Sequence, residues 1–295
     1  MAQQDQTLQY FKENAQSWQS NATNKDYSLV RNRHNAVMSV IHDAKNVTRL
    51  LDIGCGTGQL VIEAAQHGIK SHGIDFAGEM ISVCEKNRRD ANVEAKFECA
   101  SFFDVNLEKN YYDIISAQGF IEYITLSQLD LFLSKCFHAL KNGGSLMLGS
   151  RNRLFNLHSI NVFTQLEIKH GTILNLLSEA FILHTSSTQE SAMTKLSAIG
   201  RIDPQLNYHP NTGGVKVDTR YQFSPADLIY RSMQHDYKPS AIFPVHFHPF
   251  PTDSLENDKL KNLHNQIAKL LSEEEIRNHR LVPYSSSFVL QIMKI

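Results

Sequence analysis

The chain of 295 residues lacks most of the marks of a specialised class. No apolar run approaches the ~18 residues that a membrane span requires. The opening stretch, MAQQDQTLQYFKEN, is polar and holds no apolar signal segment, so no membrane partner is expected. Cysteine is scarce: Cys55, Cys84, Cys99 and Cys136 are scattered without a C-x-x-C pair. That argues against a disulfide framework or a zinc ribbon and fits a reduced, cytoplasmic protein. An excess of one charge is also missing, with 29 Lys+Arg against 30 Asp+Glu. No basic stripe is available for nucleic acid, and no nucleic-acid partner is expected. Internal repeats and low-complexity tracts are absent. The length suffices to bury a large core, as one decorated domain or as two.

What the chain does have is concentrated in residues 50–58, Leu50-Leu51-Asp52-Ile53-Gly54-Cys55-Gly56-Thr57-Gly58. The apolar opening suits a buried parallel strand. Three alternating glycines then break it, and each permits positive φ or a close approach of ligand to backbone. Residues 59–65 read as a helix, so the loop lies between a strand end and a helix N-terminus, where open α/β sheets bind ligands.

A dinucleotide fingerprint needs G-x-G-x-x-G, and this loop has G-x-G-x-G. Asp52, just before the first glycine, would repel a pyrophosphate but suits a cationic head group. Asp75 closes a second strand, where a carboxylate can accept both hydroxyls of a ribose. The implied ligand has an amino-acid-like cationic end and a ribose, which describes S-adenosylmethionine rather than NAD.

The strings LLDIGCGTG, GIDFAGEM, YYDIISAQGFIEYI and ALKNGGSLML, in this order, resemble the class I S-adenosylmethionine-dependent methyltransferases. The likeness is strongest to the small-molecule branch that includes the ubiquinone-biosynthesis enzymes. It covers residues 10–150 clearly and 223–295 weakly. It implies an α/β, Rossmann-like seven-stranded sheet with a helical lid insertion after strand five. It also implies S-adenosyl-L-methionine as cofactor and methyl transfer to an O, N or C atom of a small-molecule acceptor. Two other readings stay open: a non-catalytic regulator or scaffold that binds the same cofactor, and a nicotinamide oxidoreductase.

On this reading residues 1–47 form a helical segment over the cofactor site. Residues 48–150 form the cofactor-binding core, 151–222 a lid, and 223–295 the return to the sheet. In the first segment, helices are expected over 5–20 and 34–44. Trp18, Tyr27 and Arg31 stand out in this segment: Trp18 reads as a core anchor, and Arg31 can pair with the methionine carboxylate. Strands are expected at 48–53, 71–74, 95–99, 113–118 and 145–148, with helices at 77–90 and 126–140. Asn142-Gly143-Gly144 reads as the turn into strand five. Cofactor contacts are assigned to Arg31, Asp52, Gly54, Cys55, Gly56, Gly58, Asp75, Phe76, Met80, Ser101, Phe102 and Gln118. The family's adenine-binding Asp is missing: Ala100-Ser101-Phe102-Phe103 stands in its place, with Asp104 as a fallback acceptor.

Glu122 and Tyr123 follow strand four beside the expected methyl group and are candidate catalytic residues. A Glu in a first helical turn is also stabilised by the helix dipole alone. Arg151 and Arg153 leave strand five at the mouth of the site and can hold an anionic substrate group. Residues 160–199 carry Ile173, Leu176, Leu177, Ala180 and Phe181 at helical spacing and read as a lid over the pocket. Residues 201–222 read as loop or hairpin. Ser224-Pro225 starts a helix. Strand six is expected at 240–246 and strand seven, antiparallel, at 287–292. Between them a helix carries Leu260, Leu263, Ile267, Leu270 and Leu271 on one face.

Nine of the fourteen histidines lie after residue 150. His246 and His248 share one side of an extended segment, and His209 or Asp253 would complete a three-ligand set. No third ligand has metal-motif spacing, so no metal is assigned. A general base suits a histidine better, and His209 is the candidate.

Overall fold

The computed structural model describes residues 3–22, 29–44, 46–206, 220–250 and 258–295. The chain opens with helices α1 (Gln3–Ala22) and α2 (Leu29–Asp43). An alternating βα run follows. Its strands are β1 (Arg49–Ile53), β2 (Lys70–Asp75), β3 (Lys96–Cys99), β4 (Tyr112–Gln118) and β5 (Leu140–Arg151). Its helices are α3 (Gln59–Gln66), α4 (Gly78–Asp90) and α5 (Leu126–Ala139). After β5 come α6 (Phe155–Ser159), α7 (Val162–Lys169), α8 (Ile173–Thr185) and α9 (Gln189–Ser197). Two short antiparallel strands, β6 (Gln205–Leu206) and β7 (Tyr221–Gln222), lead to α10 (Pro225–Met233). Strand β8 (Tyr237–Phe247), α11 (Asp258–Glu274) and β9 (Ser285–Lys294) complete the fold.

Seven strands form one sheet in the order β3-β2-β1-β4-β5-β9-β8. The first five are parallel, and β9 runs antiparallel between β5 and β8. The sheet is buried on both faces, and the period-2 alternation of strand side chains divides its core. Leu51, Ile115, Leu146, Leu148 and Leu290 point to one side, where α5 brings Leu129, Phe132 and Leu133. Leu50, Ile114, Met147 and Val289 point to the other, where α2 brings Val37, Val40 and Ile41. Because β1 pairs with β2 on one edge and β4 on the other, the chain reverses its winding there. A crevice opens at the carboxyl ends of these strands.

Helix starts follow the caps. Thr125 and Gln128 form a capping box on α5. At α10, Ser224 accepts from the Asp227 N–H with Pro225 in the first turn, and buried Glu179 accepts from the Ala226 N–H at 2.9 Å.

Three details differ from expectation. Asn142-Gly143-Gly144 lies inside β5 rather than before it, because Leu140 already pairs with Tyr112 across a register shift. In α8, Leu176, Glu179 and Leu183 share the buried face, while Leu177 and Phe181 are exposed. Helices α8 and α9 thus extend the sheet's core, and the part of the insertion over the crevice is α6 with the start of α7. In α11 the inner side is His264 and Ala268, and Leu260, Leu263 and Leu270 face outward. Among the described residues, no helix is long and apolar enough to cross a membrane.

Candidate active site

A cavity of about 900 Å³ occupies the crevice at the ends of β1, β2, β4 and β5. Helix α1 roofs it with Thr7, Tyr10, Phe11 and Trp18, and α6–α7 close it with Phe155, Val162 and Phe163. Trp18 packs against Phe11 and also faces the cavity.

The glycine loop forms the floor. Gly54, Gly56 and Gly58 all have positive φ, and a Cβ at Gly56 would meet only open space. Asp52 is 2 % exposed at the tip of β1, and its Oδ1 has no hydrogen-bond partner. A buried carboxylate oxygen without a donor is costly unless a ligand supplies one. Burial pushes the Asp52 carboxyl up to about 7, against a hydrogen bond from Ser116 and with a further push from Asp75. Asp75 accepts from the N–H groups of Gly56 and Ala77, each at 3.0 Å, and so fixes the loop. Burial raises its carboxyl to about 6.

Of the sequence-assigned cofactor residues, Asp52, Gly54, Cys55, Gly56, Asp75, Phe76, Met80, Ser101, Phe102 and Gln118 line this one cavity. Gly58 does not: it packs behind the loop, where a Cβ would lie 2.8 Å from the Phe97 ring. Arg31 is exposed and also lies off the cavity, which Arg33 lines instead. Two residues apart on α2 means nearly opposite faces, and position 33 shares its face with buried Val37, Val40 and Ile41. Asp104 is exposed outside the cavity, while Ser101 and Phe103 face it. Tyr27, His209 and Asp253 lie outside the described residues.

Glu122 and Tyr123 line the cavity, but Glu122 is already engaged. Its Oε1 accepts from Arg33 Nη2 at 3.2 Å and its Oε2 from Arg220 Nε at 3.0 Å. Arg33 also donates to Ser287 Oγ at 3.1 Å, and it runs so close to Gly119 that a Cβ there would collide with Nη1. A carboxylate held at both oxygens is an anchor rather than a proton acceptor. Burial pushes the Tyr123 phenol well above its ordinary value, so it stays protonated. Arg220 stacks over the Tyr123 ring at 5.1 Å. Neither Arg33 nor Arg220 was indicated by the motifs.

The two arginines after β5 part company. Arg151 lines the cavity, whereas Arg153 is turned into the lid. There it makes a bidentate pair with fully buried Glu167, at 2.8 and 2.9 Å, and donates to the Asp203 carbonyl. The expectation that Arg153 holds substrate is therefore corrected: its donors are spent on Glu167.

Two histidines complete the wall. His246 Nδ1 lies 2.6 Å from Ser286 Oγ, and imidazole contacts of 3.3 Å link His246 to His248 and His248 to His264. Burial lowers His248 to about 4 and His246 well below its ordinary value, so both are neutral at pH 7. Among the described residues, no group of three acidic, histidine or cysteine side chains is arranged to hold a metal.

Comparison with known proteins shows what this geometry is similar to. Residues 50–144 match the family model described as a methyltransferase domain. The ubiquinone biosynthesis O-methyltransferase of Nitrobacter winogradskyi is 28 % identical over 114 residues, 39 % of this chain and 42 % of that protein. Its Coxiella burnetii namesake is 23 % identical over 165 residues, 55 % of this chain and 68 % of the relative. The match thus spans less than half of the first relative and about two thirds of the second. Among solved structures, magnesium protoporphyrin IX methyltransferase from Synechocystis, with bound S-adenosylhomocysteine, aligns over the whole of both chains with a TM-score of 0.58 at 12 % identity. A methyltransferase from Methanosarcina mazei aligns over 87 % of this chain and 97 % of its own at 0.54 and 17 % identity.

The sheet order, the glycine loop and the matched segment agree. Residues 50–144 match a methyltransferase domain, and the chain shares the α/β fold of solved methyltransferases.

Proposed function

We propose that the protein transfers a methyl group from S-adenosyl-L-methionine to a small-molecule acceptor held under α6 and α7. The observation that carries this reading is Asp52: a buried carboxylate with one partnerless oxygen, on the rim of a glycine loop whose middle glycine faces open cavity. That arrangement fits an ammonium group laid against the backbone, and Asp75 on the neighbouring strand fits a ribose.

The cofactor, when bound, supplies an electrophilic methyl on a positively charged sulfur. The chain's own task is to orient and enclose. Asp52 fixes the amino-acid end, and the rigid loop holds the rest close to backbone. The roof of Phe11, Trp18, Phe155 and Phe163 excludes water. Alignment of this kind supplies several kcal/mol without covalent catalysis. Where the acceptor must lose a proton, His246 and His248 are the neutral imidazoles on the cavity wall, though burial makes them weak bases, and Glu122 is held by two arginines. Four free thiols, one of them exposed, support a cytoplasmic location.

Side-by-side calorimetry with S-adenosylmethionine and NADH tests the cofactor, and methyl transfer to a panel of hydroxylated, aminated and carbon-acid acceptors tests the reaction. Saturable binding of S-adenosylmethionine with turnover is expected. Binding of NADH alone would overturn the reading, and cofactor binding without turnover would favour the non-catalytic alternative.

A further inference from the structure

Three guanidinium groups enter the cavity from separate parts of the chain: Arg33 from α2, Arg151 at the end of β5, and Arg220 just before β7. Among the described residues only Glu122 stands against them, and it is used twice. Arg151 has no hydrogen-bond or ion-pair partner for its side chain among the described residues. Its nearest charged surroundings include Arg220, Glu122 and Arg33, and burial together with Arg220 lowers it to about 10. Arg33 Nε and Arg220 Nη1 are buried without hydrogen-bond partners among the described residues. The other acids of the cavity, Asp52 on β1 and Asp75 on β2, are the ones that the ammonium and ribose of the donor would engage.

Charge matching then constrains what else must bind. The methionine carboxylate of the donor neutralises one guanidinium, whichever it reaches, and Glu122 neutralises another. Among the described residues the third has no counter-charge, and the donor's sulfonium adds a positive charge nearby. A partly buried arginine cluster left in that state is unfavourable, and a planar oxyanion is the partner that guanidinium geometry suits best. The adjoining Phe155 and Phe163 offer an apolar surface for the rest of the molecule.

We propose that the acceptor is an anionic small molecule that delivers a carboxylate or phosphate group to Arg151 and Arg220, with an apolar body beneath α6 and α7. This rests on the methyltransferase reading and adds the substrate's chemical class to it.

The test uses the full chain saturated with S-adenosylhomocysteine, with benzoate, phenyl phosphate and uncharged benzamide as probes. Thermal shift and calorimetry are read for wild type and Arg151→Met. Benzoate or phenyl phosphate should bind saturably and at least tenfold more tightly than benzamide. Arg151→Met should abolish that preference, read with the variant still saturated by S-adenosylhomocysteine. The ligand-free variant should melt no lower than wild type, because the guanidinium it loses holds no ion pair among the described residues. Phenyl phosphate binding better than benzoate, or the reverse, assigns the anion within the proposed class. Equal response to the acids and the amide, including no response to any of them, overturns the proposal. So does a preference that survives Arg151→Met, or a variant that melts several degrees lower with its anion preference intact. Failure of S-adenosylhomocysteine itself to bind would instead remove the methyltransferase reading.

Discussion

Arg220 donates through Nε to Glu122 Oε2 at 3.0 Å, tying the segment before β7 to the turn after β4. The other oxygen of the same carboxylate takes Arg33, so Glu122 joins α2, the end of β4 and the second half of the chain. All three side chains are buried, with 11 % exposure for Arg33, 1 % for Glu122 and 13 % for Arg220. Removing the anion would leave two desolvated cations facing each other. Glu122→Gln should therefore cost about 3 kcal/mol of stability in urea denaturation. If the group served only to take a proton from substrate, stability would stay near wild type and turnover alone would fall.

Asp52 links pH to cofactor affinity. Its carboxyl sits at about 7 in the free protein, and the charged form is the one that receives an ammonium. Affinity for S-adenosylhomocysteine should weaken about tenfold per pH unit below that value and level off above it. Stability of the free protein should run the other way. The folded-state value is raised, so Asp52's contribution is full at pH values below the ordinary carboxylate range and is lost as pH rises through about 7. Asp52→Asn should flatten both dependences. Calorimetry from pH 6 to 8, with melting curves over the same range, checks the opposed slopes, and parallel slopes would remove Asp52 from the ammonium site.

Two glycines of one loop should fail differently. At Gly58 (φ +83°) an added Cβ would meet the Phe97 ring at 2.8 Å and Cys84 Sγ at 3.0 Å. Gly58→Ala combines a left-handed backbone with overpacking and should lose about 2–4 kcal/mol of stability. At Gly56 (φ +55°) nothing lies within 4 Å, so Gly56→Ala should cost only the ~1–2 kcal/mol of backbone strain. Its methyl group instead enters the space assigned to the cofactor. Denaturation and cofactor titration of both variants separate the two effects. Equal affinity of Gly56→Ala and wild type would mean that no ligand approaches this backbone.

The floor of the cavity was legible in the sequence because it is local. Strand, glycines and acid follow one another within a few residues, and the strand periods place their ends together. The arginine cluster was not, because it depends on which face of a helix is buried and on where a distant loop returns. Arg33 had a signal that Arg31 lacked: Val37, Val40 and Ile41 follow it at four, seven and eight residues. Arg220 had none, for it precedes a two-residue strand whose partner is set by tertiary contact. Arg153 misled because its sequence position matched the mouth of the site. Only packing reveals that Glu167, one helix further on, claims it.

That last pair makes a separable prediction. Glu167 is fully buried and accepts from Arg153 twice, from Asn156 at 2.9 Å and from Thr172. Arg153→Met removes the counter-charge and leaves a buried carboxylate with neutral donors only, a change that typically costs about 3–5 kcal/mol. The loss should appear in chemical denaturation, with S-adenosylhomocysteine affinity of the folded variant unchanged, because neither residue lines the cavity. Arg153→Met combined with Glu167→Leu should recover much of the stability, since apolar groups of similar volume replace a buried pair at little cost. A single variant with wild-type stability and lost acceptor binding would contradict this and return Arg153 to the substrate site. The double variant guards against the other ambiguity: if it stays as unstable as the single one, the defect lies in the shape of α6–α7 rather than in an unpaired charge.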